Sequence, residues 1–203
     1  MSEPNAFLFD LGNVIAYFDF TPFLDAIKAR STNPDADFLK LIGSEKIALE
    51  NGTMDSDTFV SQAIEHTGYQ GTREEFITAW QDIFSPNQAM IDSANAIADQ
   101  YPIYALSNTN GLHMDHLLAT FPIFDRFSGA IYSHDVVMEK PHAEIYHLAT
   151  ERFDLTPSQT IYIDDRPENA DAGRALGFIT HQYDPQNHSA FLDFLDSNNI
   201  KLP

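Results

Sequence analysis

The chain has 203 residues, no cysteine, and 30 Asp+Glu against 11 Lys+Arg, a formal net charge of −19 at pH 7. A length of this order suits one domain, or one with a modest insert, and 43% apolar content excludes wholesale disorder. Without thiols there are no disulfides, thiolate zinc sites, iron–sulfur clusters or cysteine nucleophile, and the acidic balance argues against nucleic acid or an anionic membrane as partner.

Residues Met1 to Asn5 carry neither a basic region nor a long apolar core, so no signal peptide is expected. The absence of cysteine fits a reducing cytoplasm, the expected location. Ala6 to Leu11 is the first apolar run that reads as a strand. From about Phe18 to Ser85 no strand is expected. Thr21-Pro22 reads as a helix N-cap with proline in the first turn, and Thr72 with Glu75 as a capping box. Phe76, Ile77, Trp80, Ile83 and Phe84 follow as one helical face. This predicts a helical insert of four or five helices directly after the first strand.

Past the insert, strand and helix patterns alternate. Met90, Ile91, Ala94, Ile97 and Ala98 share a helical face, and Ile103 to Ser107 is a strand. Gly129 to Ser133 is a third strand, followed by a helix carrying Ile145, Leu148, Ala149 and Phe153. Thr160 to Asp164 and Phe178 to Tyr183 are the last two strands, and Phe191, Leu192 and Leu195 lie on one face of a final helix. Most strand runs are continuous rather than alternating, the pattern of strands covered on both faces. The prediction is a doubly wound, Rossmann-like α/β parallel sheet, with a core of residues 1–16 and 86–203 and an all-helical cap over 17–85. Ligands in such sheets bind beyond the carboxyl ends of the strands, so an insert after the first strand is placed as a lid.

Three of these strands run into polar residues: Asp10-Leu11-Gly12-Asn13, Ser107-Asn108-Thr109 and Asp164-Asp165. A parallel sheet puts all of them on one edge. Three converging carboxylates repel one another unless a cation sits among them. Lys140, before Pro141, is one candidate; a divalent cation with oxygen ligands is the other, and Mg²⁺ suits few carboxylates plus a substrate phosphate. Taken singly, each group has a bland account. Asp164 and Asp165 fit a helix N-terminus, Ser107-Asn108 a helix cap, and Lys140 a solvated loop. Asp10 resists one, because a carboxylate ending a buried apolar strand is costly without a purpose. His113 and His116, three apart, offer a weaker metal pair, and His113, His134 and His142 lie near strand ends.

The order Phe-Asp10-Leu-Gly-Asn-Val, Leu-Ser107-Asn108-Thr, Lys140-Pro141 and Ile-Asp164-Asp165-Arg-Pro-Glu-Asn169 resembles the four motifs of the haloacid dehalogenase superfamily. The helical insert is similar to the cap found after the first motif in that superfamily. Within it, the first motif with Asn13-Val14, the Trp80-Gln81 segment and the stretch to Asn169 resemble bacterial α-D-glucose-1-phosphate phosphatases, and more distantly the N-terminal phosphatase domain of soluble epoxide hydrolases. The resemblance implies a Mg²⁺-dependent hydrolase of a small phosphorylated metabolite, a sugar phosphate such as glucose 1-phosphate being one candidate. It implies Asp10 as the nucleophile that forms an aspartyl-phosphate. Mg²⁺ would be held by Asp10, the Gly12 carbonyl and Asp165. Ser107 and the Asn108 backbone would bind phosphate, and Lys140 would neutralise it. Asp164 and Asn169 would orient these groups.

Gly12 departs from the superfamily pattern, which has an acid/base aspartate at that position. Two other readings stay open: a 2-haloacid dehalogenase using Arg30 or Arg73 for a substrate carboxylate, and a catalytically quiet binding module.

Overall fold

The computed structural model describes residues 3–202; Met1 and Ser2, the start of the stretch expected to lack a signal peptide, lie outside it. Five parallel strands form the central sheet: β1 (Ala6–Phe9), β4 (Ile103–Ser107), β5 (Gly129–Tyr132), β6 (Thr160–Asp164) and β7 (Ile179–Gln182). Their order is β5-β4-β1-β6-β7, with β1 at the centre. Phe7 pairs with Ile103 on one side and Ile161 on the other.

The apolar runs are continuous because both faces are covered. With a side-chain period of two, Phe7, Phe9, Ile103 and Ile161 face one layer, while Leu8, Leu106 and Tyr162 face the other. The first layer contains α6 (Gln88–Ala98) and α11 (His188–Ser197), through Met90, Ala94, Ile97, Phe191 and Leu195. The second contains α9 (Ala143–Arg152), through Ile145, Tyr146 and Ala149. Leu192, expected on the buried face of α11, is exposed: it lies about 100° round the helix from Phe191.

Five helices occupy the insert: α1 (Thr21–Lys28), α2 (Phe38–Leu41), α3 (Gly43–Glu50), α4 (Ser56–Thr67) and α5 (Arg73–Gln81). They share a separate core around Trp80, with Phe23, Phe59 and Phe76 packed edge-on or tilted. The capping box at Thr72 and Glu75 is present. Thr21 does not cap α1; Phe20 holds the N-cap position without a side-chain bond, and Asp19 Oδ1 accepts the Thr21 N–H instead.

The expectation of no strand between Phe18 and Ser85 is corrected at its edges. β2 (Ala16–Phe18) and β3 (Phe84–Pro86) form an antiparallel ribbon where the chain leaves the sheet layers and where it returns. Phe84 therefore belongs to this ribbon, and Ile83 precedes it; neither extends α5, which stops at Gln81. Asn87 pins the return crossing, its Nδ2 donating to the Val14 carbonyl at 2.8 Å and to the Tyr183 hydroxyl at 3.0 Å. Among the described residues, no helix is long and apolar enough to cross a membrane.

Candidate active site

The carboxyl edge of the sheet gathers the polar strand ends. The chain turns tightly after β1, with the Leu11 carbonyl accepting from the N–H groups of Ile15 at 2.8 Å and Ala16 at 3.0 Å. Asn13 takes the left-handed conformation in that turn (φ 53°), which Asn tolerates better than most residues. Its side chain thereby reaches Asp165 Oδ2 at 3.0 Å.

Lys140 lies at the middle of the acidic group. Its Nζ is 2.8 Å from Asp10 Oδ1 and 2.6 Å from Asp164 Oδ2, and the residue is 3% exposed. A solvated loop lysine is thus excluded. Asn108 holds it from behind: Asn108 Oδ1 accepts the Lys140 N–H and Asn108 Nδ2 donates to the Lys140 carbonyl, both at 2.8 Å. Asn108 does not cap the following helix, α7 (Gly111–Thr120); Asn110 does, accepting from the His113 N–H.

Asp164, fully buried, has its oxygens spoken for. Besides Lys140, it accepts from the Tyr162 hydroxyl at 2.6 Å, from the Arg166 N–H at 2.9 Å, and from Asn169 Nδ2 at 3.1 and 3.2 Å. Asp10 differs. Oδ1 accepts from the Leu11 N–H at 2.7 Å and from Lys140, while Oδ2 has no hydrogen bond among the described residues. The Ser107 hydroxyl is likewise without a protein partner there, although Ser107 is only 3% exposed.

Electrostatics follow from burial. Asp10 is raised to about 7: loss of solvent pushes it up, Lys140 pulls against that, and Asp164 and Asp165 add to the rise. Burial also raises Asp165, against the pull of the Asn13 amide. Burial alone would lower the Lys140 ammonium, but the facing Asp10 and Asp164 outweigh it and hold Lys140 above the ordinary lysine value. One buried lysine does not balance three carboxylates.

One oxygen from each of Asp10, Asp164 and Asp165 falls within 4.8 Å of the others, spacing that can hold a metal ion. The saturation of Asp164 leaves Asp10 and Asp165 as the carboxylates with capacity to spare. The Gly12 carbonyl, in the turn after β1, accepts no hydrogen bond from a described group. This set of hard oxygens suits Mg²⁺.

Asp10, Gly12, Ser107, Asn108, Lys140, Asp165 and Asn169 all line one cavity of about 600 Å³, and Asp164 lies directly behind. Reasoning from strand ends missed Tyr162, the hydroxyl partner of Asp164. The signal was its place two residues earlier in β6, on the same sheet face. It also missed what the insert and ribbon add to the cavity, which includes Phe18, Phe20, Lys46 and Glu50.

The glycine at position 12 has a steric context. A Cβ built there would lie 3.3 Å from the Phe18 ring, so the ribbon occupies the space beside it. His113 lines the cavity but is no substitute acid. Burial, with nearby Lys46 adding to it, lowers it to about 3, and both ring nitrogens are engaged, one by Asn110 at 3.0 Å and one by the Trp80 carbonyl at 3.2 Å. The same bonds end the His113–His116 metal pairing. His134 is bonded to the Thr109 carbonyl, and His142 lines a separate, shallower depression. Arg30 and Arg73 pair with Glu75 and Asp57 on the insert, and neither lines the cavity.

Residues 4–177 match the family model of haloacid dehalogenase-like hydrolases. A D-ribitol-5-phosphate phosphatase from Bacteroides thetaiotaomicron is 30% identical over 146 residues, 68% of this chain and 70% of that protein. A sesquiterpene phosphatase from Aspergillus oryzae is 25% identical, over 86% of this chain and 87% of its own length. Among solved structures, a haloacid dehalogenase family enzyme from B. thetaiotaomicron, in complex with magnesium and inorganic phosphate, superposes with a TM-score of 0.80 at 24% identity, covering 90% of this chain and 95% of that one.

Proposed function

The chain belongs to the haloacid dehalogenase-like hydrolases, and on that premise we propose that it is a Mg²⁺-dependent phosphomonoesterase acting on small organic phosphates through Asp10. The observation that carries this reading is a pair of oxygens in one cavity, Asp10 Oδ2 and Ser107 Oγ, without partners among the described residues and beside a buried lysine. Asp10 Oδ2 attacks phosphorus, the ester P–O bond breaks, and an acyl phosphate forms on Asp10; water then releases inorganic phosphate. Lys140 fixes Oδ1, which leaves Oδ2 to react, and its charge offsets that of the arriving phosphate. Ser107 and the Asn108 N–H bind phosphate oxygens. Asp164 and Asn169 hold Lys140 and the Asp164-Asp165 turn in place. Asp10, Asp165 and the Gly12 carbonyl would hold Mg²⁺, which when bound screens the negative charges that nucleophile and phosphate bring together. We place the cap over this chemistry at residues 17–85 and the core in 1–16 and 86–203, of which 3–16 and 86–202 are described.

Leaving-group protonation sets the substrate preference. No carboxylic acid stands at position 12, Phe18 borders that space, and His113 stays neutral with both nitrogens bonded. General acid catalysis is typically worth ~10²–10⁴-fold, and the lack of an aspartate at position 12 matters least for an oxygen stable as an anion. The anomeric oxygen of a sugar 1-phosphate is more acidic than a primary alcohol, so glucose 1-phosphate should outrun glucose 6-phosphate. The test is kcat/KM for these two and for aryl phosphates of graded acidity, with Mg²⁺. A steep rise with leaving-group acidity is expected; a flat series, or a preference for primary-alcohol phosphates, overturns the assignment of Gly12.

A further inference from the structure

Within the cavity that holds Asp10, α3 presents two charges. Lys46 Nζ is 2.7 Å from Glu50 Oε1, and the same ammonium stands 5.9 Å from the centroid of the Phe20 ring. Both side chains are about three-quarters buried. Helix stability does not explain this pair. Glu50 is the last residue of α3 and no basic residue occupies the last turn, so the carboxylate sits at the negative end of the helix dipole. Lys46 precedes Glu50 at i, i+4, the weaker of the two orientations. The arrangement adds little to helix stability, and its significance lies in the cavity it faces.

Resting on the phosphatase reading above, we infer that Lys46, Glu50 and Phe20 form a recognition ledge for a neutral, polyhydroxylated organic group, the sugar or polyol part of the phosphate ester. Lys46 donates to a hydroxyl oxygen, Glu50 accepts from a neighbouring hydroxyl, and the Phe20 ring packs against the C–H face between them. Each partner argues against the other classes. A second anionic group on the substrate meets Glu50 and is repelled. A terpenyl or alkyl chain strips water from the ion pair and returns no hydrogen bond, which is unfavourable. Hydroxyls satisfy both charges, and hydrogen bonds to charged groups are stronger than those between neutral ones.

The ledge is held to the catalytic edge by one buried hydroxyl. Ser133 Oγ contacts the Glu50 carbonyl at 2.5 Å and accepts the Thr109 N–H at 2.9 Å, two residues beyond Ser107. Ser133 thus links the ledge directly to the loop that follows Ser107.

The test measures kcat/KM with Mg²⁺ for a pentitol 5-phosphate, glucose 1-phosphate, farnesyl monophosphate and p-nitrophenyl phosphate, in wild type, Lys46→Met, Glu50→Gln and Lys46→Arg. Thermal midpoints serve to confirm that each variant folds. In both Lys46→Met and Glu50→Gln, the ratio of kcat/KM for the hydroxylated esters to that for p-nitrophenyl phosphate should fall at least about tenfold, chiefly through KM. Lys46→Arg should recover part of it. A wild type that prefers farnesyl phosphate, or variants that lose all substrates in equal proportion, overturns the ledge alone. No phosphate release from any of the four overturns the phosphatase reading and the ledge with it.

Discussion

Replacing Lys140 by methionine probes what the buried charges cost. Met is close to Lys in length and keeps the apolar stem, so packing changes little. Lys140 is 3% exposed and contacts Asp10 at 2.8 Å and Asp164 at 2.6 Å. Its removal leaves two buried carboxylates facing each other with no protein cation between them. Breaking a buried ion pair by deleting one partner costs about 3–5 kcal/mol, a large share of the roughly 5–15 kcal/mol that holds a domain together. With a urea slope of ~2 kcal/mol/M, the midpoint should fall by about 1.5–2.5 M. The sign of the pH dependence follows from the same geometry. Losing Lys140 removes the group that pulls Asp10 down, so the folded carboxyl, already near 7, rises further above its unfolded value of 3.8. A raised acid binds its proton more tightly when folded. As far as Asp10 is concerned, the variant's deficit against wild type should therefore stay level up to about pH 7, where the wild-type carboxyl ionises, and grow above it, by at most about 1.4 kcal/mol per pH unit. Mg²⁺ should restore part of it, since binding to the folded state alone adds stability. Urea unfolding followed by far-UV circular dichroism at pH 5 and 8, with EDTA or Mg²⁺, measures all of this. A deficit under 1 kcal/mol that is indifferent to pH would show that Lys140 does not carry the balance of charge ascribed to it.

EDTA should abolish phosphate release and Mg²⁺ should restore it; full activity in EDTA would remove the metal from the mechanism and reopen the dehalogenase reading. Asp10→Asn should lower kcat by at least about 10³-fold with the fold intact, and mass spectrometry of the variant must exclude deamidation back to aspartate before residual activity counts against the nucleophile. His113 is lowered to about 3, so the unfolded chain takes up its proton from pH 6.5 downward while the folded chain does not; wild type should lose stability relative to His113→Gln as pH falls from 6.5 toward 4, and parallel pH curves for the two would refute the buried neutral imidazole. Trp80→Ala should cost about 3–5 kcal/mol because Trp80 fills the insert's separate core, and a loss under 1 kcal/mol would mean that this core contributes little to folding.

The strands of the sheet were legible because burial on both faces writes itself as uninterrupted apolar runs, as in Ala6–Phe9 and Thr160–Asp164. Polar residues that end such runs stand out against that background, so Asp10, Ser107 and Asp164 read as one edge from the sequence alone. The ribbon of Ala16–Phe18 and Phe84–Pro86 could not: three-residue strands have no period to detect, and their pairing joins positions nearly seventy residues apart. Leu192 shows the same limit on a helix, where one step round the axis separates a buried side chain from an exposed one.

Roles within the site divide in the same way. Residue type and order determined that three carboxylates would need a cation. Only the tertiary structure decided that Asp164 spends its oxygens on Lys140, Tyr162, Arg166 and Asn169, while Asp10 keeps one free. Hydrogen-bond capacity is filled by whatever the fold brings near, and Tyr162, Asn13 and Asn108 carry no label in the sequence for the partners they find. Phe18 over Gly12, and Lys46 with Glu50 in the same cavity as Asp10, are likewise products of how the insert packs on the sheet edge. Local pattern records which face of an element is buried; contacts between distant elements depend on packing that no local pattern encodes.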